Sequence, residues 1–465
     1  MRRRTFLSAP LFPVAAWAGR VAGSDARLRK AYRRPEKNGW IYVRLEGSPR
    51  EIGYQHGSLL QPEIEDAQRV IAVSLTHDSK VGYSWFRDAS EKVLLPRVES
   101  EYREELDGIA EGLKSRGSRL DLIDVVTMNA YLELGYYKDA LDRAKGKPSN
   151  WNGPAEHCSA FVATGSYTRD GRPVIAHNNW SAYREGARWN IIFDIQPSSG
   201  KHLLMDGMPG LIHSGDDFGV NSAGIMITET TISQFKGFDP KGVPEFVRAR
   251  KAMQHSGNIA DFARIMKDGN NGGYANTWLV ADRKTNEIAR LELGLKHVHL
   301  DQTDDGCVVG SNFPIDAKLA AEETDFPMED AGVSANARRV RALQLTEEAK
   351  GKIDVAFAKS YLSDHYDSKD GATAPSERTL CGHIDLSPRG CKPWMEAYGT
   401  GGAVQAKAMD ARMAEKMSFL AAMGHPCGTH FVAAEHLAKH PEYAFEREVI
   451  KDLRSQPWTL FQARG

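Results

Sequence analysis

One cysteine stands where polar loop residues give way abruptly to a strand, a placement that lets a single residue serve as both nucleophile and base. The stretch Arg143 to His157 (RAKGKPSNWNGPAEH) is polar, carries two Gly and two Pro, and reads as an exposed loop. Past Cys158 the pattern changes. Ala160 to Ala163 form an apolar run, Thr168-Arg169-Asp170-Gly171 is a hairpin turn signal, and Pro173 to Ala176 form a second apolar run. Cutting the bond between His157 and Cys158 would leave Cys158 at the head of a strand, with a thiol and a free α-amine. The unperturbed α-amine pKa is near ~8, so a partly desolvated amine accepts the thiol proton near neutral pH without a separate histidine. The competing reading is a buried strand cysteine, the commoner case for this residue type. The antiparallel return of the hairpin brings His177, Asn178 and Trp180 toward Cys158: a ring to orient substrate or amine, an amide near the nucleophile, and a wall for an acyl pocket. A structural His and a core Trp are the alternatives.

Cys158-Ser159-Ala160 followed by Ala176-His177-Asn178-Asn179-Trp180-Ser181-Ala182-Tyr183 resembles the maturation and active-site segment of the phospholipase B-like proteins. These are N-terminal-nucleophile hydrolases, close to the penicillin acyltransferase and bile-salt hydrolase branches. Further similar segments follow in order: Pro209 to Ile212, Ser214 to Phe218, Ile227 to Ile232, Gly273 to Trp278, Thr379 to His383 and Gly424 to Gly428. The resemblance implies an α+β fold, a four-layer αββα sandwich with a helical N-terminal segment. It also implies self-cleavage between His157 and Cys158 and a covalent thioester on Cys158.

An oxyanion at the attacked carbonyl needs fixed donors. Asn276 is the first candidate, because related hydrolases place an oxyanion-hole Asn on the corresponding strand; a turn-capping Asn is the alternative. Arg338, in Ser334-Ala335-Asn336-Ala337-Arg338-Arg339-Val340-Arg341, resembles the active-site Arg of the relatives. A guanidinium there favours thiolate and an uncharged amine. The register between Arg338 and Arg339 is open, and a solvated basic helix start is the other reading. Glu229 and Thr230 are expected to line the site on family grounds. Two departures stand out. Trp180 occupies the place where the acyltransferase and bile-salt branches carry an Asp, and His157 precedes the nucleophile in place of a small residue.

The outer limits come from composition. The chain has 465 residues and a formal net charge of −1, which gives no sign of a nucleic-acid partner. Arg2-Arg3-Arg4-Thr5-Phe6-Leu7, an apolar stretch through Ala18, and Ala16-Trp17-Ala18 read as a twin-arginine-like export signal over residues 1–24, or as an ordinary secretory signal with extra positive charge. The run is too short, and too interrupted by Pro10 and Pro13, to span a bilayer. A periplasmic or secreted location with no transmembrane anchor is expected. Five cysteines then suggest a free nucleophile and pairing among the rest, with Cys381–Cys391 as the most local disulfide and Cys307 and Cys427 paired or free; four unpaired thiols are the alternative. No CxxC or HExxH pattern suggests a metal, and no cofactor is expected.

Residues 25–142 read as a helical N-terminal fragment, 143–157 as an exposed linker ending at the cleavage site, and 158–465 as the hydrolase domain. Gly53 and Gly57 share one helical face and permit close packing. After cleavage the N-terminal fragment is expected to stay attached non-covalently, by burial alone. The expected activity is cleavage of acyl ester or amide bonds in lipids. The alternatives are an amidase or acyltransferase on small N-acyl compounds and a processed lipid-binding protein with little turnover.

Overall fold

The computed structural model describes residues 25–147, 157–216 and 218–464, so the export-signal reading and most of the linker lie outside the described residues. The Cys158 hairpin forms as expected: strand His157–Gly165 pairs antiparallel with Gly171–Ala182 across the Thr168–Asp170 turn. It sits inside a six-stranded antiparallel sheet, in the order Gly306–Gly310, His157–Gly165, Gly171–Ala182, Gly401–Asp410, Ser418–Met423, Thr459–Gln462.

A nine-stranded sheet faces it. Its order is Tyr32–Arg33, Ile41–Gly47, Ile191–Pro197, Leu203–Gly207, Gly219–Asn221, Ile225–Thr231, Asn276–Asp282, Glu287–Leu293, Val298–Thr303. Side-chain alternation builds the layers. Ala160, Val162 and Ile175 point inward, meeting Leu204, Met226 and Leu279 of the other sheet. Phe161, Ala163 and Ala176 point outward under Ala342, Ala358 and Tyr361 of helices Ser334–Glu348 and Val355–Leu362. Helices that include Pro49–Leu59, Ser100–Ser115 and Ile259–Lys267 cover the far face of the larger sheet through Ile52, Leu106 and Phe262. The four-layer αββα sandwich is therefore borne out.

The N-terminal segment, expected as a fragment, is more than a helical cap. Ile41–Gly47 pairs in parallel with Ile191–Pro197, entered from Tyr32–Arg33 by a turn that puts Asn38 and Gly39 at φ 52° and 81°. Burial alone does not hold the fragment. Sheet hydrogen bonds join it to the rest, together with ion pairs between Arg44 and Asp194 (2.6 Å), Arg188 and Asp66 (3.0 Å) and Arg250 and Glu105 (3.2 Å). Within the fragment, helix Pro49–Leu59 starts on a capping box between Ser48 and Glu51 and crosses helix Ser100–Ser115 at glycines on both partners. A Cβ added at Gly53 would sit 1.9 Å from the Glu105 carbonyl oxygen, and one at Gly108 would sit 2.4 Å from that of Arg50.

The expected Cys381–Cys391 disulfide is not formed; none of the five cysteines is disulfide-bonded. Cys391 packs with Trp180 and Ile384, while Cys381 turns toward His383 and Cys427. Among the described residues no helix is long and apolar enough to cross a membrane.

Candidate active site at Cys158

Cys158 is the second residue of its strand and is 1% exposed. Its main chain is gripped on both sides. The Cys158 N–H donates to Asn312 Oδ1 at 2.9 Å, and the Arg338 guanidinium donates to the Cys158 carbonyl. Arg338 also donates to Asn312 Oδ1 (2.9 Å), Ser334 Oγ (2.9 Å) and Ser159 Oγ (3.3 Å), and its guanidinium carbon lies 4.4 Å from the centre of the Trp180 ring. It is fully buried and has no carboxylate partner among the described residues. Burial lowers its pKa to about 10, and the Cys391 and Cys158 thiols pull the other way, so it stays charged at neutral pH. Arg339 turns aside and rests over Phe313, 4.6 Å from the ring centre, so of the two arginines it is Arg338 that contacts Cys158.

The thiol points between the sheets. Cys158 Sγ, a ring nitrogen of His177 and a carboxylate oxygen of Glu229 lie within 4.8 Å of one another. Glu229 is held by the Tyr274 hydroxyl at 3.1 Å. Asn276, with its amide turned to suit its neighbours, donates to Glu229 Oε2 (3.0 Å) and to the Ala275 carbonyl (3.1 Å). Both amide hydrogens of the expected oxyanion donor are thus committed, one to Glu229 and one to the Ala275 carbonyl. His177 is buried without a hydrogen-bond partner among the described residues, and its pKa falls to about 3, chiefly through burial and then through Lys407, with Asp216 opposing. Thr230 is buried against Gly310, where a Cβ would come 2.6 Å from its methyl group.

Asn178 does not line this site, because strand alternation turns it to the opposite face of the sheet. There it donates to the Leu362 carbonyl (2.7 Å) and the Leu380 carbonyl (3.0 Å). Trp180 shares that face, beneath Arg338 and against Gly382, so it backs the guanidinium and does not flank the thiol. Asn179 is the residue directly across from Cys158, and neither its Oδ1 nor its Nδ2 has a partner among the described residues. Sequence reasoning passed over Asn179 and also Asn312. The latter's left-handed φ of 70° is a conformation that Asn tolerates, and its Nδ2 is anchored on the Thr231 carbonyl at 2.9 Å. The Ser-Asn-Phe-Pro context is the only signal that could have found it.

A second unanticipated feature adjoins the site. Lys407, across the strand pair from His177, is fully buried between Asp206 (2.9 Å) and Asp216. Burial and the neighbouring Asp216 push Asp206 well above its ordinary value. Asp216 stays below its ordinary value: its burial, the largest single influence, is outweighed by the charge and hydrogen bond of Lys407 together with His177 and a hydrogen bond with Asp206. The buried ammonium is therefore flanked by two carboxyl groups and is not left as an unpaired buried charge.

A family model described as Phospholipase B matches residues 97–303, a segment that contains Cys158, His177, Asn179, Glu229 and Asn276 but not Asn312 or Arg338. An uncharacterized protein of Archaeoglobus fulgidus is 27% identical over 54% of this chain and 42% of its own length. Human phospholipase B-like 1 is 23% identical over 62% of this chain and 58% of its own. The chain thus spans less than two-thirds of the length of these relatives. Among solved structures, penicillin V acylase from Agrobacterium tumefaciens aligns at 12% identity with a TM-score of 0.33, covering 57% of this chain and 82% of that one. On these matches the chain is similar to the phospholipase B-like proteins over part of its length.

Proposed function

We propose that this chain is the precursor of an exported cysteine N-terminal-nucleophile hydrolase that removes acyl groups from lipid esters or amides through a Cys158 thioester. The observation that carries this reading is the double grip on Cys158: a buried guanidinium with no carboxylate holds its carbonyl, and the same guanidinium shares Asn312 Oδ1 with its amide nitrogen. A structural cysteine has no need of a desolvated cation, which is costly to bury unpaired.

Maturation begins with attack of the Cys158 thiol on the His157 carbonyl. The C–N bond breaks as the amine leaves, and the resulting thioester is hydrolysed to free the His157 carboxylate. In the uncut chain the thiol is buried, which suits a precursor inactive toward substrate. After the cut, the new α-amine keeps Asn312 Oδ1 as its acceptor. The charge on Arg338 disfavours protonation of that amine, leaving it able to take the thiol proton. Attack on an acyl carbonyl then produces an oxyanion, for which the unpartnered amide of Asn179 is the nearest uncommitted donor, while Asn276 and Tyr274 fix Glu229 beside the thiol. The amine protonates the leaving group, and water resolves the thioester. The thiol, amine and donors all come from the chain itself, so this route calls for no cofactor. The phospholipase B description of the matching family supports an acyl lipid as substrate.

Intact mass and N-terminal sequencing of the purified protein test the reading. Residues 158–465 should appear as a fragment of about 34 kDa out of 51.5 kDa, beginning Cys-Ser-Ala-Phe, with residues up to 157 retained until denaturation. Cys158→Ala should remain one chain and release no fatty acid from phospholipid vesicles. A single uncut chain with full esterase activity would return Cys158 to the core, and a cut chain that binds lipid without turnover would make it a binding protein.

A further inference from the structure

Away from Cys158, on the outer face of the six-stranded sheet, four side chains from three segments of the chain converge. His365 follows helix Val355–Leu362, Cys381 and His383 lie in the loop before Gly401–Asp410, and Cys427 lies in the turn after Ser418–Met423. Their ligand atoms all lie within 4.8 Å of one another. His383 Nε2 is 3.3 Å from His365 Nε2, 3.4 Å from Cys381 Sγ and 3.5 Å from Cys427 Sγ.

These separations match the edges of a coordination tetrahedron. Zn–S bonds near ~2.3 Å and Zn–N bonds near ~2.0 Å, set at tetrahedral angles, give edges of roughly 3.3 Å between nitrogens and roughly 3.5 Å between nitrogen and sulfur. Two thiols and two imidazoles meeting at one point are poor partners for each other in hydrogen bonding but a complete ligand set for a soft-to-borderline cation. The surroundings are also those of a metal-bound imidazole. His383 Nδ1, on the far side of the ring, has no hydrogen-bond partner among the described residues and faces Asp385 Oδ1 at 3.9 Å. Asp385 is itself oriented by the Tyr183 hydroxyl at 2.7 Å.

We propose that His365, Cys381, His383 and Cys427 bind one zinc ion in a closed Cys2His2 structural site. All four positions are filled by protein, leaving none for substrate, so the ion acts as a cross-link. It ties the turn that carries Cys427 to two loops already joined to each other by the Cys381 N–H to the Asp364 carbonyl (3.0 Å) and the Arg378–Asp367 ion pair (2.8 Å). The link reaches the Cys158 site through Gly382, whose Cα lies flat on the Trp180 ring beneath Arg338: a Cβ there would sit 2.2 Å from a ring carbon. The site does not depend on the hydrolase reading, since no step of that chemistry uses it.

The test is elemental analysis of the full-length protein, purified without a polyhistidine tag and dialysed against metal-free buffer, together with cobalt substitution. The expected result is one zinc per chain. The cobalt form should show thiolate-to-cobalt charge-transfer absorption and the intense visible bands of tetrahedral cobalt. Cys427→Ser and His365→Ala should lose the ion, while Cys307→Ser keeps it. If the ligand variants fail to fold, the cobalt spectrum of the wild-type protein decides alone. A metal-free protein with Cys381 and Cys427 joined in a disulfide, or a cobalt form lacking thiolate charge transfer, would overturn the proposal.

Discussion

Replacing Arg338 by Met should move the acid limb of the pH–rate profile upward, and the structure sets the size of the move. Two 2.9 Å hydrogen bonds meet at Asn312 Oδ1, one from the Cys158 nitrogen and one from Arg338 Nη2, so the guanidinium lies within about 6 Å of the nitrogen that becomes the α-amine. At an effective dielectric of about 20, unit charges that far apart repel by roughly 2.8 kcal/mol, or roughly 2 pKa units. The charged ammonium is the form disfavoured, so Arg338 lowers the amine from near ~8 toward ~6. The amine works as a base only when neutral, so kcat/KM of the matured enzyme should fall below pH ~6 in the wild type and below pH ~8 in Arg338→Met. Arg338→Lys keeps the charge and should keep most of the limb in place, while losing rate through the lost fork of hydrogen bonds. The measurement is kcat/KM against pH for an acyl ester, on protein shown by mass to be cut at Cys158. An unchanged acid limb in a matured Arg338→Met enzyme would refute the electrostatic role and leave Arg338 as a packing residue.

Asn179→Ala should lower kcat by ~10²–10³ with little change in KM, while Asn178→Ala, on the other face of the sheet, should act on stability and spare kcat; equal kcat losses would refute the assignment. Gly108→Ala gains about 1 kcal/mol of helix propensity but forces a methyl to within 2.4 Å of the Arg50 carbonyl oxygen. Overpacking against a backbone that cannot rotate away costs ~1–3 kcal/mol or more, so a net loss of stability should appear as a lower urea midpoint. His56 is fully buried, accepts the Gly210 N–H at Nε2 (2.9 Å), and has its pKa lowered by burial to about 3. Its contribution is therefore complete above the unfolded pKa of ~6.5 and lost as pH falls toward 3, so the stability gap between wild type and His56→Asn should shrink by up to ~1.4 kcal/mol per pH unit below 6.5. A gap that widens in acid would show that His56 is charged in the fold.

Much of the sandwich is legible in the sequence because local signals agree with the fold. The Thr168–Gly171 turn and the apolar runs Ala160 to Ala163 and Pro173 to Ala176 on either side of it specify a hairpin before any packing is considered. The strand Ile41–Gly47 escaped because its first five residues are all buried, leaving no alternation to read, and because strong helical segments follow it. The Lys407–Asp206–Asp216 trio escaped for a different reason. Charged residues in strands read as solvent-facing, and only the facing of two sheets brings these three together in the interior. The Cys2His2 cluster has ligands at 365, 381, 383 and 427, a spacing that matches no short motif, so only the tertiary fold reveals it.

Adjacent asparagines show most clearly where sequence reasoning stops. Asn178 and Asn179 are chemically identical and one residue apart, yet one faces the thiol's side of the sheet and the other braces the helical side. Which is which depends on the hairpin register, and that register carries an irregularity between Ala163 and Gly165. A shift of one residue exchanges the faces of His177, Asn178, Asn179 and Trp180 together. It would put the Trp180 ring beside the thiol, remove Arg338's aromatic support, and strip the Leu362 and Leu380 carbonyls of the amide that joins them. The inward pair, His177 and Asn179, and the outward pair, Asn178 and Trp180, are therefore one positioning device. The inward pair faces the Cys158 thiol, and the outward pair braces the loops and the guanidinium that grips the Cys158 main chain.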